Sequence, residues 1–236
     1  MQPLTVSQDW IRHDPENRFL ICDSSELAMI DKVAASSKTT GSIFTNGHGL
    51  ANSIVEFGKP SYKGLKSKGV KRYFMDESYL LDIDSQRAKS FHDEMVMMPR
   101  TVKRIITTLK PKDVVLLDRI YYLTPREAVT HEYLAFVVAS LNSIITDYWF
   151  QKLYETTKVS GGYFDLNGNQ IESMPIPNAT TEQQEYIASR VDAILSAKKA
   201  DPSVDTSALE VEIDEKVFDL YDLTPEEREI VKGAAK

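Results

Sequence analysis

Along residues 133–177 the apolar positions change their period. Leu134, Val137, Val138, Leu141, Ile144, Ile145, Tyr148 and Leu153 recur at the three- and four-residue spacing of one helix face. Thr124, Pro125 and Glu127 match a capping box, with Thr at the N-cap, Pro at N1 and Glu at N3. The pattern therefore predicts one long helix from near residue 125 to about Tyr154, with a kink near Thr130. Asn142, Ser143, Thr146 and Asp147 make it too polar to span a membrane, so it reads as a core helix. Residues 158–162 (KVSGG) break it, residues 166–169 resemble a turn, and IESMPIP reads as a short strand. Pro175 and Pro177 cannot donate to a ladder, which makes that strand an edge or an extended crossing.

Upstream, short apolar runs separated by turn residues predict strands. They fall at Trp10-Ile11, Phe19-Leu20-Ile21-Cys22 and residues 42–45, 53–57, 70–74, 79–84, 95–98, 101–109, 114–117 and 120–123. SSELAMIDKVA opens as a short helix, and Met95, Met97 and Met98 read as core packing. In residues 101–109 Lys103 and Arg104 sit between Val102 and Ile105-Ile106, as on a strand with one wet face. After IESMPIP the period returns to that of helices. Thr180 with Gln183 caps one carrying Ile187, Val191, Ile194 and Leu195, ADPSVD links to a second over Leu209 to Tyr221, and Thr224 with Glu227 caps a third. The expected fold class is α+β: a mixed or antiparallel sheet with a loop-rich region packed on a long helix, then a short helical C-terminal region. The expected units are residues 1–178 and 179–236.

Composition is that of an ordinary globular chain, 42% hydrophobic and 27% charged in 236 residues. Cys22 is the single cysteine, so neither an intrachain disulfide nor a cysteine metal cluster is expected. The first residues lack the form of a signal peptide, and with no long apolar run the expectation is a cytoplasmic protein without a membrane partner. The net charge of −7 hides a segregation. Residues 59–112 carry thirteen Lys/Arg against six Asp/Glu, while residues 181–236 carry seven against fourteen. A basic block inside an acidic chain marks where a polyanion would bind.

The chain holds little that points to catalysis. His13, His48, His92 and His131 lack metal-ligand spacing. Gly64 and Gly69 are spaced like the glycines of a phosphate loop but lack its Gly-Lys-Ser/Thr ending. Asp214-Glu215-Lys216 resembles a nuclease element but lies in an acidic helical segment, where a solvated helix face is expected. Base methylation needs an Asn/Asp-Pro-Pro-aromatic clamp and a glycine-rich cofactor loop, and neither occurs. What remains is the basic block. Lys63, Lys66, Lys68, Lys71 and Arg72 lie in or beside glycine loops with Tyr73 interleaved, and Arg100, Lys103 and Arg104 follow. Such cations neutralise phosphates. Asn46, His48 and Asn52 are candidate readers of base edges, although Asn-Gly is equally a turn former, and Lys158 is either a second contact or part of a helix C-cap.

SLNSIITDYWFQKL, a loop, IESMPIP and a TTEQQ helix together resemble the TaqI-like C-terminal specificity domain of adenine-specific DNA methyltransferases of restriction–modification systems. MMPRTVKRIITTLKPKDVVLLDRIYYLTP and the ending EIDEKVFDLYDLTPEEREIV are similar to the same family, and KGVKRYF resembles its N-terminal recognition half. The resemblance covers roughly residues 40–236. It implies a module that binds double-stranded DNA and positions a flipped-out adenine for a methyltransferase domain or subunit. The implied cofactor, S-adenosylmethionine, belongs to that partner; the chain itself is expected to hold no cofactor. The departure is the missing methylase half, which implies a specificity piece rather than an enzyme. Two other readings stand beside it: a scaffold subunit of a defence complex whose acidic helices dock a partner, and half of a type I restriction specificity subunit.

Overall fold

A computed structural model describes residue 20 and residues 22–76 and 79–234. The strands expected at residues 10–11 and most of 19–22 lie outside the described residues. The described chain opens with α1 (Ser24–Ala35), fixed at its start by Asp23, whose carboxylate accepts from the Ser25 and Glu26 amides while Glu26 returns a bond to the Asp23 amide. Then come β1 (Ser37–Thr39), the single turn α2 (Thr40–Ile43), β2 (Phe44–His48), β3 (Glu56–Leu65), β4 (Val70–Lys71), β5 (Phe74–Met75) and β6 (Tyr79–Asp82). α3 (Ser85–Lys89) leads into β7 (Met95–Pro99), β8 (Thr101–Val102), β9 (Thr108–Lys110), β10 (Val114–Leu116) and β11 (Ile120–Pro125). α4 (His131–Asn142) and α5 (Ile144–Tyr154) precede β12 (Phe164–Asp165), α6 (Gly168–Glu172) and β13 (Pro175–Pro177). The chain closes with α7 (Thr181–Ala200), α8 (Ser207–Leu220) and α9 (Pro225–Ala234).

The strands form a four-stranded antiparallel sheet ordered β2-β11-β7-β9 and a three-stranded sheet ordered β10-β3-β6, in which β10 runs parallel to β3. β1 with β13, β8 with β12 and β4 with β5 make two-stranded ribbons. This is the expected α+β class with a mixed and antiparallel sheet. All five residues of β7 are buried, because the period of two sends Val96 and Met98 to one side and Met97 to the other. The first side meets α4 and α5 in the larger core, to which α7, α8 and α9 also contribute Ile187, Val191, Val217, Phe218 and Val231. The second faces a smaller core with Leu65, Leu81, Phe91 and Leu116. Each large apolar side chain so buried stabilises the fold by about 1.5–3 kcal/mol. The methionines are thus core packing, as expected.

The expected long helix is two helices. Ser143 is extended (φ −61°, ψ 148°), and its hydroxyl caps α5 by accepting from the Thr146 amide. The Thr124 capping pattern does not open a helix either: Pro125 ends β11 opposite Phe44, and the Arg126 amide bonds to the Ile43 carbonyl. Sheet pairing overrides the local signal, and Thr130 caps α4 instead. The strand expected over residues 101–109 splits into β8 and β9. Between them, the Ile105 amide bonds to Asp147 Oδ1 (2.9 Å), and Asn142 accepts from the Thr107 amide (2.7 Å) and donates to its carbonyl (2.9 Å). Side chains of the helix pair take the place of a neighbouring strand. Smaller differences follow the same logic. Residues 40–43 form the α2 turn before β2, residues 52–54 are a 3-10 turn, and IESMPIP is helical through Glu172, with only β13 extended and paired at the edge with β1.

The three C-terminal helices fall where the sequence puts them, with capping boxes at Thr180/Gln183 and Thr224/Glu227. One reading needs correction there. Asp214 is not on a solvated face; it is buried and accepts the Ile144 amide at 2.9 Å, and its burial lifts the carboxyl to about 6. Where α7 crosses α4, His131 sits between two carboxylates, with Nδ1 2.8 Å from Glu94 and Nε2 2.9 Å from Asp192. Burial pulls its pKa down, but the hydrogen bonds to Glu94 and Asp192 outweigh it and lift it to about 8.

Two outcomes are expected. Asn142→Ala strands the amide and carbonyl of Thr107 and costs about 2–4 kcal/mol in urea unfolding. A variant of wild-type stability would show that Asn142 does not hold that segment. For His131 the folded pKa lies above the ordinary value, so its stabilisation is complete below pH about 6.5 and is lost as the pH rises through about 8. With the side chain 42% exposed, the effect is under about 1 kcal/mol. Unfolding followed at several pH values from 6 to 8 should show that decline in the wild type and not in His131→Gln.

Candidate nucleic-acid interface

The basic block is divided by the fold into surface and core. Lys63 is exposed on β3, opposite Leu80 on β6 and Val114 on β10. Lys66 follows, its ammonium 4.4 Å above the Phe57 ring and 4.6 Å from the Tyr79 ring, an attraction of the cation to the ring quadrupoles. Lys68 stands on the 3-10 turn Ser67–Gly69 and Lys71 at the end of β4, both exposed. Among the described residues Lys63, Lys68 and Lys71 have no carboxylate partner.

The next two candidates turn inward. The turn between β4 and β5 holds Tyr73 in the left-handed region (φ 55°), with its amide on the Thr107 carbonyl and its side chain fully buried. Arg72 donates to Glu210 (2.7 Å) on α8 and to the carbonyl of Asn142 (2.7 Å). Arg104 pairs with the buried Asp147 at 3.0 Å. Arg72 and Tyr73 thus turn inward, which corrects the expectation that the whole cluster faces a polyanion, while Arg104 ties its loop to α5 and stays exposed. Lys110 is also internal. Its ammonium donates to the carbonyls of Phe91 and Pro111, and burial lowers its pKa to about 8.

A second group gathers at the end of the larger sheet. Asn46 and His48 share one face of β2, the period-two consequence of their spacing. Asn46 donates to Glu172 on α6 (2.6 Å), and His48 lies 4.0 Å from Tyr121, ring to ring, on the neighbouring strand. Arg100, just past β7, forks onto Asp165 of β12 at 3.0 and 2.8 Å. These bonds, donated by Arg100, hold the Asp165 carboxyl below the usual range and raise the guanidinium. Lys103 follows β8 and lies 4.9 Å from the Tyr163 ring. Lys158 bonds to Glu155 (2.7 Å) and lies 5.2 Å from the Phe164 ring. The structure thus brings Asn46, His48, Arg100, Lys103 and Lys158 to one rim of the larger sheet and its β8–β12 ribbon, with Lys63, Lys66, Lys68 and Lys71 around the smaller sheet.

Sequence reasoning missed Arg119, whose carbonyl accepts the Arg100 amide, and the aromatic partners Phe57, Tyr121 and Tyr163. Tyr163 carried a usable signal, an aromatic directly after Gly-Gly beside a lysine; Arg119 carried none, because the sheet register places it. Among the described residues no set of three His, Cys, Asp or Glu side chains is arranged to hold a metal. Among them, too, no helix is long and apolar enough to cross a membrane.

No family model matches the sequence, and no curated protein does. Solved structures do. The type IIG restriction endonuclease BpuSI aligns over 84% of this chain with a TM-score of 0.55 and 12% identity, and the chain spans 33% of that protein. The HsdS subunit from Thermoanaerobacter tengcongensis aligns over 84% of this chain and 50% of its own, with a TM-score of 0.43 and 12% identity. The type IIL restriction–modification enzyme MmeI, solved in complex with DNA, aligns over 78% and 33%, with 0.44 and 9%. The chain therefore spans about a third to a half of the structures it matches. The fold is one that part of the type IIG restriction endonuclease BpuSI shares.

The two kinds of cation separate in a stability measurement. Arg72→Ala removes two charge-assisted bonds from a half-buried site and should cost about 1.5–3 kcal/mol in urea unfolding. Lys68→Ala and Lys71→Ala, on open surface, should stay within about 0.5 kcal/mol of wild type. Equal effects from all three would contradict the division into core and surface.

Proposed function

We propose that this chain is the DNA target-recognition domain of a restriction–modification system, acting in the cytoplasm. It binds duplex DNA and presents a target adenine to an N6-methyltransferase domain or subunit. The observation that carries the reading is the fold it shares with part of a type IIG restriction endonuclease, joined to the exposed Lys63, Lys68 and Lys71 on and beside the smaller sheet. S-adenosylmethionine, bound by the partner domain, supplies the methyl group. This chain's residues do the positioning. Lys63, Lys66, Lys68 and Lys71 neutralise phosphates, and each such pairing adds sequence-independent affinity that falls with salt. At the rim, the His48 ring and the Arg100 and Lys103 side chains offer donors toward a groove, and Asn46 offers its amide. Arg72 and Arg104 act at one remove, by fixing the loops that carry the exposed lysines.

The test is fluorescence anisotropy with a labelled duplex of random sequence, about 30 base pairs long, over a salt series from roughly 50 to 200 mM. Binding should weaken steeply across the series. Combined Lys63→Ala, Lys68→Ala and Lys71→Ala should flatten the logarithmic salt slope by about 0.9 for each phosphate that is no longer neutralised. Absence of binding at the lowest salt would overturn the proposal in favour of a scaffold role.

A further inference from the structure

Beyond phosphate neutralisation, one exposed feature of the rim has no structural task. Residues 159–163 form a tight turn in which the Val159 amide bonds to the Tyr163 carbonyl at 2.7 Å and the Gly162 amide to the Val159 carbonyl at 3.1 Å. Gly161 and Gly162 both take positive φ, 79° and 75°, which is the reason for two glycines here. The turn faces Val159 and Tyr163 across its neck, and they are 49% and 39% exposed. Its base is rigid: Phe164, directly after it, is buried edge-on against Phe150 at 5.0 Å, and β12 pairs with β8. Lys103 lies against the Tyr163 ring, while Lys158 at the foot of the turn and Arg100 on the same ribbon are ion-paired with Glu155 and Asp165. An aliphatic and an aromatic side chain exposed together at the neck of a stiff projection, beside the cation of Lys103, fit a polyanion that has apolar surface between its charged rails. Duplex DNA has that character, since its stacked base faces lie between two phosphate rows.

We propose that Val159 and Tyr163 form an apolar wedge that enters duplex DNA at a base step and unstacks it, with Lys103 and Lys158 on the flanking phosphates. The proposal rests on the DNA-reading function above. It assigns the Gly-Gly turn a mode of binding distinct from the salt-dependent grip of the smaller sheet.

A wedge gains when unstacking has already occurred. The full chain should bind a duplex with a central single-base bulge at least about tenfold more tightly than the matched duplex at the same salt. Val159→Ser with Tyr163→Ser should bring that ratio to about one, while its salt slope and urea midpoint stay those of the wild type. The supporting result is loss of bulge preference with salt slope retained. Equal binding of both duplexes by the wild type, or a preference that survives the double substitution, overturns the wedge and leaves the DNA-reading function standing. Failure to bind either duplex overturns both.

Discussion

The structure depends on how a buried run of polar groups is satisfied at the elbow between α4 and α5. Asn142, Ser143, Thr146 and Asp147 are all enclosed, and each unpaired donor or acceptor there would cost about 1–3 kcal/mol. The bonds that join the elbow to the rest of the chain span long sequence distances. Asn142 clamps the Thr107 backbone, Asp147 takes the Ile105 amide and the Arg104 side chain, and the Ile144 amide goes to Asp214. The Asn142 carbonyl receives Arg72, which also reaches Glu210. Sheet loops, helix pair and C-terminal helices therefore meet through one set of hydrogen bonds, around which the larger apolar core closes.

That elbow decides which cations remain for solvent. The segment between β8 and β9 is drawn toward the helices, which holds the exposed Arg104 against Asp147 while Lys103 stays out beside Tyr163. The β4–β5 turn is pulled the same way by the Thr107 carbonyl, which draws in Arg72 and Tyr73 and leaves Lys71 and Lys68 outside. A basic block read as one surface is thus divided, with Arg72 and Lys110 turned to internal acceptors and Lys63, Lys68 and Lys71 left outside. The chemistry suits the division, because arginine's planar fork satisfies several buried acceptors while a lysine ammonium stays strongly hydrated.

What was legible in the sequence was what local interactions determine. The boxes at Thr180 and Thr224, the buried methionine strand and most short strands formed as their patterns demanded. The break at Ser143 was not legible, although the polar cluster around it was visible. The residues that take its free backbone groups lie far away in the chain, at Thr107 and Asp214. Thr124 failed as a cap for the complementary reason, since β2 claimed the backbone through Pro125 before a helix could begin. At the candidate site, the exposure of Lys68 followed from its glycine-bearing turn, whereas Lys63 is exposed on a strand where a loop was expected. The inward turn of Arg72 could not be foreseen, because Glu210 is remote in sequence and is one acidic residue among many in its neighbourhood.

The short β1–β13 ribbon has a topological consequence. Thr39 stands opposite Pro175, so the chain leaves for the sheets and comes back at the same place. Everything between is a closed excursion from a fixed doorway, framed by α1 on one side and α7 on the other. An insert whose two ends coincide can be exchanged without moving its surroundings, provided that the α4 face against α7 and the bonds of Arg72 and the elbow to α8 are preserved. The geometry is that of an interchangeable cartridge: new loop surfaces can be fitted to an unchanged frame.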